Sequence, residues 1–512
     1  MLRLLMAAVL SSVYQPNVTL AEESSKSAVP MEARVRALIP DLEVYIQSGM
    51  QAFDAPGLVI GIVTGDRLVY AKGFGVSSKA AGAPVDSRTV FQIGSATKAF
   101  LATTIAIAVD RGKLHWDDRV VDLDPKFALK DPWVTREFRV FDLMAQRSGL
   151  PPHANDVVGI LGADEAAMIR SLRHVEPVSS FRSTFAYTNL THLEAGRIVA
   201  KLAGQPDWNA VLARELLEPL GMTETSYTAD AIAAAANHAQ GYRWTPGGTI
   251  EVPFFYFPYV FGGAGDINST IEDAARWVRL QLANGTFEGR SIVSSENLAV
   301  TRTARVAISD KMFYANGWIV TQTPNGNIVW HNGGTDGFGA MIAMSLDKDV
   351  GVIVLTNEGN QGFPDAVGLW MLDRLLDNPA VDHAAVSLKA AKARFADTEK
   401  TFAKPVNPRP FAPLAPLAGS FVNPSFGKAT LRLDGDALVL ALQESGCELE
   451  LEPWDGDVFI ARVVPSGRFV ALAEVIGPRP IAFAQLQIDQ KGQLNLLRLS
   501  FEDGQAYEFR RD

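Results

Sequence analysis

The sequence predicts an α+β protein with a second, all-β domain at its C-terminal end, and three observations carry that reading. Strand patterns stand early in the chain and return late. A long, mostly helical stretch broken by Gly and Pro separates them. A proline-rich segment then precedes a run of short apolar stretches punctuated by Gly and Asp turns. Strands at both ends of one domain, with helices between, mean a single sheet assembled from both ends around a helical insertion.

Residues 57–78 read as two strands around the turn Thr64-Gly65-Asp66. Residues 96–111 carry apolar positions at helical spacing, and Gly112 stops that helix. A second helix is expected over 190–203, ending at Gly204, and a third over 271–283, with Thr270 and Asp273 as a capping-box pair and Asn284-Gly285 as its stop. The stretches GWIVTQT and NIVWHNGG flank Asn325-Gly326, a hairpin signal. GAMIAMSL and VGVIVLTN pair around Asp347-Lys348-Asp349, and a helix follows from Pro364 to Leu376.

These elements divide the chain into a leader at 1–21, a main domain at 22–404, a linker at 405–416 and a C-terminal β-domain at 417–512. The linker holds five prolines, which makes it stiff and extended. The leader has one positive charge, a short apolar run over Leu4–Leu10 and small residues before Glu22, the pattern of a secretory signal. It implies a periplasmic or secreted protein. No later stretch reaches the ~18 apolar residues that a membrane span needs.

Net charge is −10, and no block of basic residues occurs. That argues against nucleic-acid partners and against attachment to anionic membranes. Cys447 is the single cysteine, so an internal disulfide and a Cys-based structural metal site are excluded. In a late β-rich stretch it reads as a small core residue.

Chemistry enters at Ser95-Ala-Thr-Lys98. A serine hydroxyl is a weak nucleophile until a neighbouring base takes its proton. Spacing of i, i+3 on a helix puts both side chains on one face, one turn apart. Ser95 stands at the helix start, where the dipole favours a developing alkoxide, and Lys98 serves as base if burial lowers its pKa. The same pattern recurs at Ser345/Lys348 and Ser425/Lys428, in a hairpin turn and a strand, where no helical turn joins the pair. A second constellation is Tyr187-Thr-Asn189: a phenol to shuttle a proton and an amide to hold a substrate amide. Its repeat, Tyr314-Ala-Asn316, precedes a strand and reads as structural. A third is His331-Asn332-Gly333-Gly334 on a strand, where glycines allow close approach of backbone to ligand.

In this order the three motifs resemble the serine β-lactamase-related and penicillin-binding-protein family, in its class C β-lactamase, D-peptidase and esterase branch. Similarity extends to Phe91-Gln-Ile-Gly-Ser-Ala-Thr-Lys98, Asp142-Leu-Met-Ala-Gln-Arg-Ser-Gly-Leu-Pro151, Pro219-Leu-Gly-Met222, Gly262-Gly-Ala-Gly265 and His331-Asn-Gly-Gly-Thr-Asp-Gly-Phe338, over roughly residues 30–376. The resemblance implies an α/β sandwich: an antiparallel sheet flanked by helices, with an inserted all-helical subdomain and the site between them. It implies Ser95 as the acylated nucleophile, Lys98 as its base or proton relay, and Tyr187 as the second proton-transfer group. Asn189, His331, Asn332 and Gly333 would contact substrate, and the amides of Ser95 and Gly334 would form the oxyanion hole. No metal or organic cofactor is implied. The C-terminal segment resembles a lipocalin-like β-barrel found after the catalytic domain in some family peptidases.

One departure matters. Most β-lactamases carry lysine where this chain has His331, and a histidine near its ordinary pKa is mostly neutral at pH 7. The expected function is therefore cleavage of peptide amide bonds, including D-residue or otherwise unusual peptides. A carboxylesterase and a β-lactamase are the alternatives, and a catalytically silent binding or assembly module is the alternative of a different class. The expected partners are a small peptide, ester or β-lactam substrate, and a homo-oligomeric state is allowed.

Overall fold

A computed structural model describes residues 29–411, 413–490, 492–502 and 504–512. The leader read at 1–21 lies outside the described residues. The first element is a long helix, α1 (Met31–Phe53), which buries Val35, Leu42, Ile46 and Phe53 along one stripe. It leads into β1 (Gly57–Thr64) and β2 (Arg67–Gly75), the expected pair. The other strands of the same sheet arrive more than 200 residues later: β3 (Val306–Ala307), β4 (Met312–Tyr314), β5 (Ile319–Thr323), β6 (Gly326–Gly334), β7 (Gly339–Ser345) and β8 (Val350–Thr356). Their order is β2-β1-β8-β7-β6-β5-β4-β3. Every neighbouring pair is antiparallel, so the β-lactamase/transpeptidase architecture is present.

The centre of this sheet is covered on both faces, which explains near-continuous hydrophobic runs in an antiparallel sheet. Along β1, Leu58, Ile60 and Ile62 enter the core shared with α1 and with α5 (Phe363–Leu375), while Val59 and Val63 enter the opposite core. Gly61 lies under Ile271 of α4 (Ile271–Leu282), and a Cβ there would come within 2.5 Å of that side chain. Each fully buried Val, Leu or Ile contributes roughly 1.5–3 kcal/mol.

Helices of the insertion follow their sequence signals closely. α2 (Thr97–Asp110) is buried on all sides from Thr97 to Ala108, as a helix apolar all round should be. It ends two residues before Gly112, which sits at φ +63°. α3 (Leu190–Ala203) is closed by Gly204 in the left-handed region. At the start of α4 the Thr270 hydroxyl accepts from the Asp273 amide at 3.1 Å, but the expected box is only half made. The Asp273 carboxylate accepts instead from the Glu224 amide and the Thr225 hydroxyl, which ties down the loop after Pro219–Met222.

A further helix, α6 (His383–Thr401), and the proline segment lead to a closed antiparallel barrel. Its strands are β9 (Gly419–Asn423), β10 (Gly427–Asp434), β11 (Ala437–Leu442), β12 (Glu448–Asp455), β13 (Val458–Val463), β14 (Ala482–Ile488), β15 (Leu494–Phe501) and β16 (Ala506–Arg511). β9 pairs with β16 to close the ring, leaving no open edge. Alternate residues such as Leu438, Leu440, Leu449 and Leu451 fill the interior. Cys447 is buried there, and burial pushes its thiol up to about 12. Rather than spanning free, the proline segment is fastened to the β12–β13 turn, where the Arg409 amide donates to Asp455 and the Gly456 amide to the Arg409 carbonyl. Between β13 and β14 a short helix, α7 (Val470–Ile476), faces the main domain. Among the described residues, no helix is long and apolar enough to cross a membrane.

Candidate active site

Ser95 lies in a single helical turn (Gly94–Ala96) that runs directly into α2, so its hydroxyl stands at the mouth of a buried helix. This turn abuts the end of β6. Gly94 adopts φ +50° and a Cβ on it would sit 2.9 Å from the Gly334 amide nitrogen. A Cβ on Gly333 would come within 1.8 Å of the Ile93 carbonyl oxygen and 3.1 Å of the Ser95 amide nitrogen. Glycine at both places is what lets the two backbones touch, so the turn carrying Ser95 packs directly against the strand end at Gly333 and Gly334. The Asn360 amide group steadies this strand end by donating to the Gly333 carbonyl at 2.8 Å.

One helical turn on, the Lys98 amine is fully enclosed. Its Nζ donates to Ser95 Oγ at 3.2 Å, to Asn189 Oδ1 at 2.7 Å and to the Ala264 carbonyl at 2.8 Å. Burial pulls its pKa from 10.5 down to about 7, and the negative charge of Asp156 holds it from falling further. A lysine poised there is available as a neutral base at neutral pH. The Tyr187 ring faces it, with Nζ 4.7 Å from the ring centroid. Desolvation raises the Tyr187 phenol and the neighbouring Ser95 side chain offsets part of that, so the phenol keeps its proton.

The segment carrying Tyr187 and Asn189 is clamped by Gln146. Its side chain accepts from the Thr188 amide at 2.6 Å and donates to the Thr188 carbonyl at 3.1 Å. Beside it the fully buried Asp142 carboxylate pairs with Arg147 at 2.9 Å and Arg182 at 2.6 Å. The segment Asp142–Pro151 therefore acts as a brace for the tyrosine loop.

On the strand side, His331 is buried. Its Nε2 lies 3.0 Å from the Tyr314 hydroxyl and its Nδ1 2.6 Å from the Asn332 carbonyl. Burial, with the nearby Lys98 adding to it, lowers its pKa to about 3. It is a neutral group at any ordinary pH. Asn332 reaches Asp365 at 3.3 Å. The structure thus gathers Ser95, Lys98, Tyr187, Asn189 and His331 around one point, with Gly333 and Gly334 as its backbone wall.

Two residues escape the sequence reading. Tyr314, set aside there as structural, ends β4, contacts His331 and packs edge-on against the Tyr187 ring at 6.4 Å. Sheet order explains it, because β4 and β6 flank β5 and so come together at this end. Asp156 is the second. Its Oδ2 accepts from Asn189 Nδ2 at 2.6 Å and faces His153 Nδ1 at 3.0 Å, making it the carboxylate behind Asn189 and Lys98. Nothing in the stretch Pro151-Pro-His-Ala-Asn-Asp156 signals that role by spacing.

The family profile described as Beta-lactamase matches residues 42–376. The chain belongs to the beta-lactamase family. A second profile, a domain of unknown function (DUF3471), matches residues 403–510, the barrel. The chain is 26% identical over 510 residues to a protein named unguisins hydrolase from Aspergillus violaceofuscus, covering 90% of this chain and 88% of that one. It is 25% identical to the protein flp of Staphylococcus aureus over 64% of each. Among solved structures, an octameric penicillin-binding protein homologue from Pyrococcus abyssi superposes with a TM-score of 0.61 at 22% identity, covering 92% of this chain and all of that one. That likeness supports the fold.

Proposed function

We propose that this member of the family is a serine hydrolase that cleaves amide bonds of peptides through an acyl-enzyme on Ser95. The observation that carries the reading is the enclosed Lys98 amine, 3.2 Å from the Ser95 hydroxyl with its pKa brought to about 7. Ser95 Oγ attacks the substrate carbonyl carbon while Lys98 Nζ takes the hydroxyl proton. The carbonyl oxygen gains negative charge and accepts from the Ser95 and Gly334 amides. The bond to the leaving nitrogen then breaks, and the proton passes through the Tyr187 phenol to that nitrogen, releasing an amine. Water adds to the ester on Ser95 with Lys98 taking its proton. The acyl–oxygen bond breaks, a carboxylic acid leaves, and the hydroxyl is restored.

Peptide amides are favoured over β-lactams by the strand side of the site. His331 offers a neutral imidazole where most β-lactamases offer a cation for the antibiotic's carboxylate. The name of the Aspergillus relative, a hydrolase, supports the reaction class. An esterase uses the same machinery, since an acyl-enzyme forms readily from esters, and it stands as the second reading. The leader at 1–21 supports a periplasmic or secreted location, and the octameric relative supports a homo-oligomer.

Intact-mass spectrometry after incubation with a fluorophosphonate, and separately with a penicillin, tests the proposal. One adduct on Ser95, absent in Ser95→Ala, supports it, and turnover of peptide nitroanilides above that of matched esters selects the amidase. Folded protein with no adduct from either probe contradicts it and favours a silent scaffold.

A further inference from the structure

A cavity of about 410 Å³ lies where the barrel meets the main domain, within the size range of small-ligand pockets and at the kind of domain junction they favour. Its walls are apolar: Val157, Ile160 and Phe255 from the main domain face Leu472, Val475 and Ile476 of α7. Charged and polar groups also line it: His153, Asp156, Asp336, Arg243 and the Arg479–Glu502 pair. Asp156 is one hydrogen bond from Asn189, which is one hydrogen bond from Lys98. Asp336 stands two residues beyond Gly334 in the chain. The cavity therefore lies next to the reacting centre: His153 in its wall packs against the Tyr187 ring, with centroids 5.5 Å apart.

The barrel also fixes the floor of this cavity. Its Tyr507 hydroxyl donates to Asn155 Oδ1 at 2.9 Å. Its Gln505 side chain accepts from the Asn155 amide at 2.9 Å and donates to the His153 carbonyl at 2.8 Å. His153 and Asn155 hold φ of +56° and +59°, a region that non-glycine residues enter only when their surroundings impose it. Asp156 follows directly.

We propose that this cavity is a subsite for a bulky apolar side chain, aromatic or branched, on the substrate residue next to the scissile bond, and that Gln505 and Tyr507 are positioning residues that hold the His153–Asp156 segment beneath it. The proposal rests on the hydrolase reading of Ser95. A barrel that supplies half the wall makes substrate selection depend on both domains.

The test uses the full chain and p-nitrophenyl esters of N-acetylphenylalanine and N-acetylalanine. The expected KM for the phenylalanine ester is about 10- to 100-fold lower, the range for burying several carbon atoms in an apolar pocket. Val475→Trp, which fills the cavity, is expected to abolish that preference. Tyr507→Phe is expected to lower kcat for both esters about 3- to 10-fold with KM held, a split that general loss of folded protein would mimic only with a lowered count of fluorophosphonate-labelled sites. Equal KM values in the wild type, or a preference that survives Val475→Trp, overturn the subsite. Unchanged kcat in Tyr507→Phe overturns the positioning role. If Ser95 is never acylated, the hydrolase reading fails separately, and calorimetric titration with N-acetylphenylalaninamide decides the cavity. Heat of binding in the wild type that Val475→Trp removes supports it, and its absence in the wild type rejects it.

Discussion

The two sides of Ser95 are built from the same principle and reach opposite ends. On the helix side, burial lowers Lys98 to about 7 and Asp156 stops the fall there, so the amine changes charge within the working range. On the strand side, burial lowers His331 to about 3 and no carboxylate opposes it, so the imidazole stays neutral throughout. The charge on Lys98 further disfavours charge on His331 and on His192, which burial also holds neutral. Burial moves the two by similar amounts, and they end apart because a lysine starts at 10.5 and a histidine at 6.5. It teaches that the same enclosure makes a titrating base of a lysine and a permanently neutral group of a histidine, so that the recognition half offers hydrogen bonds and shape in place of charge.

The largest test of that contrast is removal of the proton-transfer groups. Lys98→Ala and Tyr187→Phe are each expected to slow acylation by at least about 10²-fold, the usual scale for general acid–base groups, read as the rate of p-nitrophenol release in the pre-steady-state burst. Wild-type burst rates in either variant remove that residue from the mechanism.

Asp156→Asn addresses the comparison itself. The carboxylate raises Lys98, so its loss lets the pKa fall and moves the acid limb of kcat/KM to lower pH. A rate loss of about 10-fold is expected with it, because Asn189 exchanges a charged carboxylate acceptor for a weaker neutral amide oxygen. An unmoved limb would mean that burial alone sets the lysine.

A stability measurement sharpens the same point. Lys98 has a folded pKa below its unfolded value of 10.5, so the unfolded chain binds more protons between about pH 7 and 10.5. The site therefore costs stability most fully at and below pH 7, and the cost fades as pH rises towards 10.5. Enclosing the amine costs about 5 kcal/mol on that basis, and its three hydrogen bonds return about 1 kcal/mol each. Lys98→Met is expected to stabilise the protein by roughly 2 kcal/mol at pH 7 and to lose that gain by pH 10, where the cost of enclosing the amine has fallen below the worth of its hydrogen bonds, in urea unfolding followed by circular dichroism. Destabilisation at pH 7 would show that the hydrogen bonds outweigh desolvation.

The smallest effect expected is on the strand side. His331→Ala should lower kcat/KM by several-fold without moving the acid limb, since the wild-type imidazole does not titrate between pH 5 and 8. A limb near 6.5 that vanishes in this variant would contradict the neutral reading.

Much of this arrangement was legible in the chain, for physical reasons. Ser95 and Lys98 are one helical turn apart, so local spacing reveals their contact. The pair β1 and β2, the hairpin at Asn325-Gly326 and the stop at Gly204 are each written in a few adjacent residues. Long-range pairings are different. Tyr314 meets His331 only because two strands cross one sheet, and a motif-by-motif reading sets it aside. Asp156 sits among prolines and turn residues with no period to mark it. α1 carried a usable signal, apolar residues at helical spacing from Val35 to Phe53, which the reading did not single out. Contacts of Gln505 and Tyr507 with residues some 350 positions earlier depend on how two domains dock, and no local pattern encodes that.

The most direct measurement of the central claim is the pH dependence of fluorophosphonate labelling at Ser95 in the full-length protein, quantified by intact mass. The account predicts a rate that climbs with a single limb near pH 7 and then levels, with the limb lost in Lys98→Ala. A rate that keeps climbing towards pH 10, or one whose limb survives in Lys98→Ala, would contradict it.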